Sequence, residues 1–189
     1  MPELPDQSPT QLLMRDMGIN EYNLERRRVV AGIEAADLKR IAALKDIVVS
    51  HADGYVSSFF EYLSSLEEAR PLLTNKVLTE RTRRLQVEQL VSMVQSDYGM
   101  NYATQRLELG LIYSRAGLEL QVFVGAFQHL LRAVGSAVIN NFEKSAVDAF
   151  QNFSSLQKVA FMDLGIIADV LVFERQRLIR QQQDAIREL

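Results

Sequence analysis

Apolar side chains recur along this chain at helical spacing and almost nowhere at the alternation of a strand. Over residues 78–95, Val87, Leu90, Val91 and Val94 stand at i, i+3, i+4 and i+7, one face of an amphipathic helix. Residues 35–66 carry Leu38, Ile41, Leu44, Ile47 and Val48, then Tyr55, Val56, Phe59, Phe60 and Leu63, with a break near 50–54. Residues 21–30 predict a short helix ended at Gly32, and residues 102–116 a further one ended by Gly117, a left-handed cap. Residues 118–142 are apolar on most sides and predict a buried helix. Ser145, with Asp148 three residues on, has the form of a capping box and opens a last helix running to residue 189. All four prolines lie within the first 71 residues, so the remainder is free of the residue that breaks helices. The pattern predicts an all-α fold.

The last of these segments changes character along its length. It is hydrophobic up to Phe173; from 174 to 189 it turns Arg- and Gln-rich, leaving Leu178, Ala185 and Leu189 on a narrow stripe. Such a stripe with polar flanks suits a coiled-coil seam. A helix of that length, about 68 Å at 1.5 Å per residue, outreaches a compact domain of this size. The expected division is a loose arm over 1–20, a body over 21–173 and a helical linker over 174–189. Residues 118–142 and 159–173 together offer more apolar surface than one small core hides, which predicts a homodimer, a dimeric helix bundle.

Composition narrows the function classes. The chain has 189 residues, 48% of them hydrophobic, with a net charge of −3 and no Cys. The charge disfavours nucleic-acid binding, and the missing Cys excludes disulfides, thiolate zinc sites and cysteine nucleophiles. The opening residues lack the basic and apolar regions of a signal peptide. The longest apolar run, residues 165–173, is interrupted by Asp169 and falls short of the roughly 20 residues that span a bilayer. A cytoplasmic protein without a membrane partner is expected. No phosphate-binding, nucleophile-elbow or zincin motif occurs, so no enzyme chemistry is assigned. Arg26, Arg27 and Arg28 read as solvated surface, and Asp163 and Asp169 as exposed points on an apolar helix. Of the two histidines, His51 marks a helix junction and His129 lies in an apolar segment, where core packing or metal ligation are both open.

One stretch is more specific. Residues 106–118, RLELGLIYSRAGL, followed by 123–131, FVGAFQHLL, closely resemble the F–G helix region of globin-coupled sensor domains. Gly18-Ile19, Arg26-Arg27 and Ala36-Asp37-Leu38 are similar to that family's N-terminal extension, Phe59-Phe60 with Leu63 to its B helix, and Asp97-Tyr98 through Tyr102 and Arg106 to the segment before its F helix. The resemblance runs over residues 18–173. It implies a globin-like sensor fold with an N-terminal extension and a long C-terminal signalling helix. The tail, residues 181–189, looks like the linker before a STAS domain in RsbR-type stressosome proteins. That likeness implies a non-enzymatic sensory module whose partners are a second copy, stressosome scaffold proteins and a kinase.

Two positions depart from the family pattern. Its proximal haem ligand is a histidine where this chain has Tyr113, and its distal tyrosine is here Phe60. The expectation is therefore a domain without bound haem. If haem is held, Tyr113 or His129 is the iron ligand, in a pocket shared with Phe60, Val91 and Val94. A haem-based gas sensor and a purely structural spacer are the alternative readings.

Overall fold

The computed structural model describes residues 8–95 and 97–188. Among them every regular element is helical. The helices are α1 (Pro9–Asp16), α2 (Glu21–Val30), α3 (Ala35–Ala42), α4 (Lys45–Ser50), α5 (Ala52–Ser64), α6 (Arg70–Leu73), α7 (Lys76–Gln95), α8 (Met100–Arg115), α9 (Leu120–Asn141) and α10 (Ala146–Arg187), with a 3-10 turn over Glu67–Ala69. Local chemistry sets several boundaries. Ser145 accepts the Asp148 N–H at 3.2 Å and opens α10, where the sequence placed a cap. Gly117, at φ +71°, ends α8, and the Leu118 N–H turns back to the Tyr113 carbonyl at 2.9 Å. The break expected near 50–54 is a junction at His51, whereas Pro71 sits inside the first turn of α6. That position needs no amide proton, so proline does not end the helical stretch there.

One expectation about the ends of the body changes. Residues 9–20 are ordered rather than a loose arm: Ser8 and Gln11 cap α1 reciprocally, and Leu13 and Ile19 are buried. Both join Leu24 in a small second core against Ala103, Leu107 and Leu111 of α8 and Ile166 and Val170 of α10. The first seven residues lie outside the described ones. At the other end, α10 stays continuous through the change in composition; Glu174 is still buried, and residues 175–188 are exposed.

The main core lies between α5, α7, α8, α9 and α10. Phe123, Ala126, Phe127, Leu130, Val134 and Val138 form the inward stripe of α9 at i, i+3, i+4, i+7. The 22-residue α9, whose most apolar 18-residue stretch has a mean hydropathy of 1.5, is the one helix among the described residues long and apolar enough to cross a membrane. The longest uninterrupted run was a poorer guide to it, because α9 intersperses single polar residues. Here its inward stripe packs on α5 and α10.

Helices α8 and α10 approach most closely at Gly110. A Cβ there would stand 2.8 Å from both Cβ and Cγ1 of Val170, so only glycine admits this spacing. The same helices are joined by a fully buried ion pair. Arg106 donates to Asp163 Oδ2 through Nε and Nη2, at 3.0 and 2.9 Å. Tyr102 donates to Asp163 Oδ1 at 2.5 Å, and Gln89 of α7 donates to Oδ2 at 3.1 Å. Arg106 also donates to the Gln89 carbonyl and to Ser92, and its guanidinium lies 3.3 Å from the centre of the Tyr102 ring. The expectation that Asp163 marks an exposed face is thus reversed, since its neighbours replace all the hydration it gives up. Asp169 is exposed, as expected, and pairs with Arg27 of α2 at 2.7 Å.

Two outcomes are expected from these contacts. Gly110→Ala lowers stability by about 1–3 kcal/mol through overpacking, although helix propensity alone predicts a gain. Gly54→Ala, with nothing within 4 Å of its Cβ, is expected to raise stability slightly; thermal melts of the two variants read the opposite signs. Asp163→Asn leaves Arg106 charged and uncompensated in the interior. Its cost is expected at about 3–5 kcal/mol, a fall of roughly 10 °C or more in Tm; an unchanged Tm refutes the role given to the pair.

Candidate functional site

Along α8, Tyr102, Arg106, Leu109 and Tyr113 follow one another at helical spacing and are all buried. On α7 the most deeply buried positions are Thr82, Gln86, Gln89, Leu90 and Met93. The inward face of α7 is therefore turned from the one read off its valines. Val94 lies in the core, while Val91 is half-buried at the groove between α7 and α8, near Glu88, Ser92 and Gln105. Burial of Gln86 and Gln89 was not anticipated. The available signal was their i, i+4, i+7, i+11 spacing with Thr82 and Met93, a stripe in which polar residues stand where apolar ones are usual.

Gln86 and Tyr113 meet across the interval between α7 and α8. The Gln86 Nε2 lies 2.6 Å from the Tyr113 Oη, and both residues are fully buried. Gln86 Oε1 meets no hydrogen-bond partner among the described residues. If the amide is turned over, Oε1 accepts the phenol proton and Nε2 is left over instead; 2.6 Å is an ordinary length for O–H···O. As placed, Gln86 Oε1 stands buried without a partner, an unusual situation in a folded interior. Burial pushes the Tyr113 phenol well above its ordinary pKa, and the hydrogen bond from Gln86 offsets part of that. The phenol is neutral at physiological pH.

Aromatic rings wall this pair. Phe123 of α9 and Phe59 of α5 lie 5.2 and 6.3 Å from Tyr113, centre to centre, and neither is exposed. Phe60 packs edge-on against Phe59, one layer away, with the Arg83 guanidinium 4.6 Å from its ring centre. His129 stands apart. It is half-buried on α9, with its ring stacked on Tyr62 at 4.0 Å and Nδ1 2.9 Å from the Gly125 carbonyl. Of the residues expected to share a pocket, Tyr113 and Phe60 both contact Phe59, whereas Val91 and His129 lie on different flanks.

The donor chemistry bears on haem directly. Tyr113 presents a hard oxygen donor, which as phenolate suits ferric iron. The Gln86 amide meets it from the other helix, and the surroundings are apolar. The direct Gln86–Tyr113 contact fills the interval between α7 and α8, so a haem held there requires these two side chains to part. No group of metal-binding carboxylates and histidines occurs among the described residues to suggest another metal.

Comparison with known proteins places the chain. A family model described as Protoglobin matches residues 20–177. The Heme-based aerotactic transducer HemAT of Halobacterium salinarum is 26% identical over 182 residues, 92% of this chain and 37% of that protein. The chain thus spans little more than a third of the relative's length. These two findings overturn the expectation of a domain without a cofactor. That expectation took the missing imidazole at 113 and the missing hydroxyl at 60 as decisive, and so weighed two positions above the agreement of the whole body. With the fold all-helical and the family model covering most of it, the chain belongs to the Protoglobin family.

Proposed function

We propose that this chain is the sensory globin domain of a signal transducer and that it senses through haem held between α7 and α8. Family membership and the relative's name, a heme-based transducer, support this reading over the stressosome one. The structural observation that carries it is the buried polar pair of Tyr113 and Gln86 inside an aromatic wall. Haem would supply an iron able to change redox state and to bind a small ligand. Tyr113 would hold it through its phenol oxygen, the proton passing to solvent, and Phe59 and Phe123 wall that oxygen from bulk water. Burial makes the phenolate costly without a cation beside it, so ferric iron is the state this site favours. The expected outcome is a stoichiometric ferric Soret band when purified protein is titrated with haemin, lost in Tyr113→Phe. A chain that binds no haemin overturns the proposal.

The route outward is α10. Its buried stretch includes Ile166, Ile167 and Val170, and it continues as one helix into residues 175–188, exposed on every side. A change in the interval reaches that segment if it biases two packings of the helices around α10. We further propose that α10 packs against its counterpart in a second copy. Phe150, Phe161 and Val172 are 71%, 62% and 47% exposed and recur every eleven residues, three turns apart on one stripe. Ile139 of α9 adds to this exposed apolar surface. Sedimentation at micromolar concentration is expected to show a dimer, weakened in Val172→Asp by a carboxylate forced into the apolar seam; a monomeric parent removes the dimer from the account.

A further inference from the structure

We infer that the cleft between α2 and α10 is a socket for Phe161 of a second copy, so that the N-terminal helix α2 takes part in holding two chains together. The inference rests on the α10 pairing proposed above. Its observation is Gly165. Glycine weakens the interior of a helix, and the other buried or half-buried helical glycines each answer to a neighbour. A Cβ would stand 2.8 Å from Val170 at Gly110, 3.1 Å from Tyr62 at Gly125 and 3.0 Å from Phe153 at Gly135. At Gly165 the nearest atom is Arg27 Nη1, 4.0 Å away. Packing within the chain therefore gives no reason for glycine here. What the small residue leaves open is a cleft of about 440 Å³, walled by Val30 and Ala31 of α2 and by Phe161 and Met162 of α10. Arg27 borders it, held by Asn23 at 2.9 Å and by Asp169 at 2.7 Å.

The occupant follows from where the cleft lies. At 3.6 residues per turn, Phe150, Phe161, Gly165, Ala168 and Val172 fall within about 60° of one another around α10. Gly165 and Ala168 are the small residues of that face, set between the large exposed ones. Two α10 helices meeting on this face come closest where the side chains are smallest, and a bulky ring beside that point needs a recess. The recess is the cleft, whose outer wall, Val30, is 79% exposed in the single chain. An aromatic ring seated there covers Val30 and lies beside the fixed Arg27 guanidinium, a favourable pairing. Phe161 is the ring that the α10 pairing itself brings to this place. Each copy supplies the ring and offers the cleft, as a two-fold contact requires.

The test measures the dimer dissociation constant of the full chain by sedimentation, for the parent and for Gly165→Leu, Val30→Glu and Val29→Glu. Val29 is 55% exposed on the same helix and does not line the cleft. Gly165→Leu fills the floor of the cleft and is expected to weaken association at least about tenfold, with the helical circular-dichroism spectrum of the parent retained. Val30→Glu is expected to weaken it by a similar factor, because its carboxylate loses water against the incoming ring, and Val29→Glu to leave it unchanged. Should Gly165→Leu lose its helical spectrum, the two valine positions decide. Equal dissociation constants for the parent, Gly165→Leu and Val30→Glu, or equal losses at Val29 and Val30, overturn the socket and leave the α10 pairing standing. A parent that is monomeric at micromolar concentration overturns both.

Discussion

The buried ion pair between Arg106 and Asp163 is the contact on which the arrangement of the interior depends. A charge taken out of water survives only where its hydration is replaced, and here the replacements come from three helices at once. Asp163 belongs to α10, Arg106 and Tyr102 to α8, and Gln89 to α7. Each of these helices could rotate or slide within an apolar core at modest cost. None can do so without stripping a partner from a charge that has no access to solvent. The pair therefore fixes the register of α7, α8 and α10, and with it the direction in which Gln86 and Tyr113 point.

That register makes the second polar contact possible. Gln86 lies one turn before Gln89 on α7, and Tyr113 two turns after Arg106 on α8. The two polar contacts thus occupy successive levels of the same interhelical seam. The Asp163 carboxylate has a partner on each oxygen, while Gln89 in that network and Gln86 in the other each keep a buried amide oxygen without a partner. The close contact of Gly110 with Val170 lies between these levels and lets α8 press against α10 without an intervening side chain. Movement in the seam is thereby transmitted to backbone, which yields less than a flexible side chain does.

The long last helix serves two environments. Its first half supplies core residues and Asp163; its last residues leave the body rich in Arg and Gln, with Leu178, Ile179 and Ile186 exposed among them. Along its outward face runs the exposed stripe of Phe150, Phe161 and Val172, which suits a bundle with a second helix of the same kind. The helix is about 63 Å long at 1.5 Å per residue, enough to carry a displacement well beyond the globin body.

Helical periodicity, the placement of proline and the cap at Gly117 determined the all-α class and most helix boundaries, because these are local effects that backbone sterics and neighbouring residues decide. The motif running from Arg106 through Gly117 and on to His129 likewise marked the globin-like region before any coordinates. What periodicity did not reveal was the assignment of polar residues to the interior. Asp163 looked like a solvated point on an apolar helix, and Gln86 and Gln89 like the polar side of an amphipathic one. Whether such a residue is buried depends on partners distant in the chain: Arg106 is 57 residues from Asp163, and Tyr113 is 27 from Gln86. The apolar stripes alone could not select the rotation of α7, since valine and glutamine positions both repeat at helical spacing. The same holds for the first helix, which has few apolar residues and is ordered by what it packs on. Local sequence decided where the helices are; long-range pairing of charges and hydrogen bonds decided which faces turn inward, because an unpaired polar group is costly only once burial has removed the water around it.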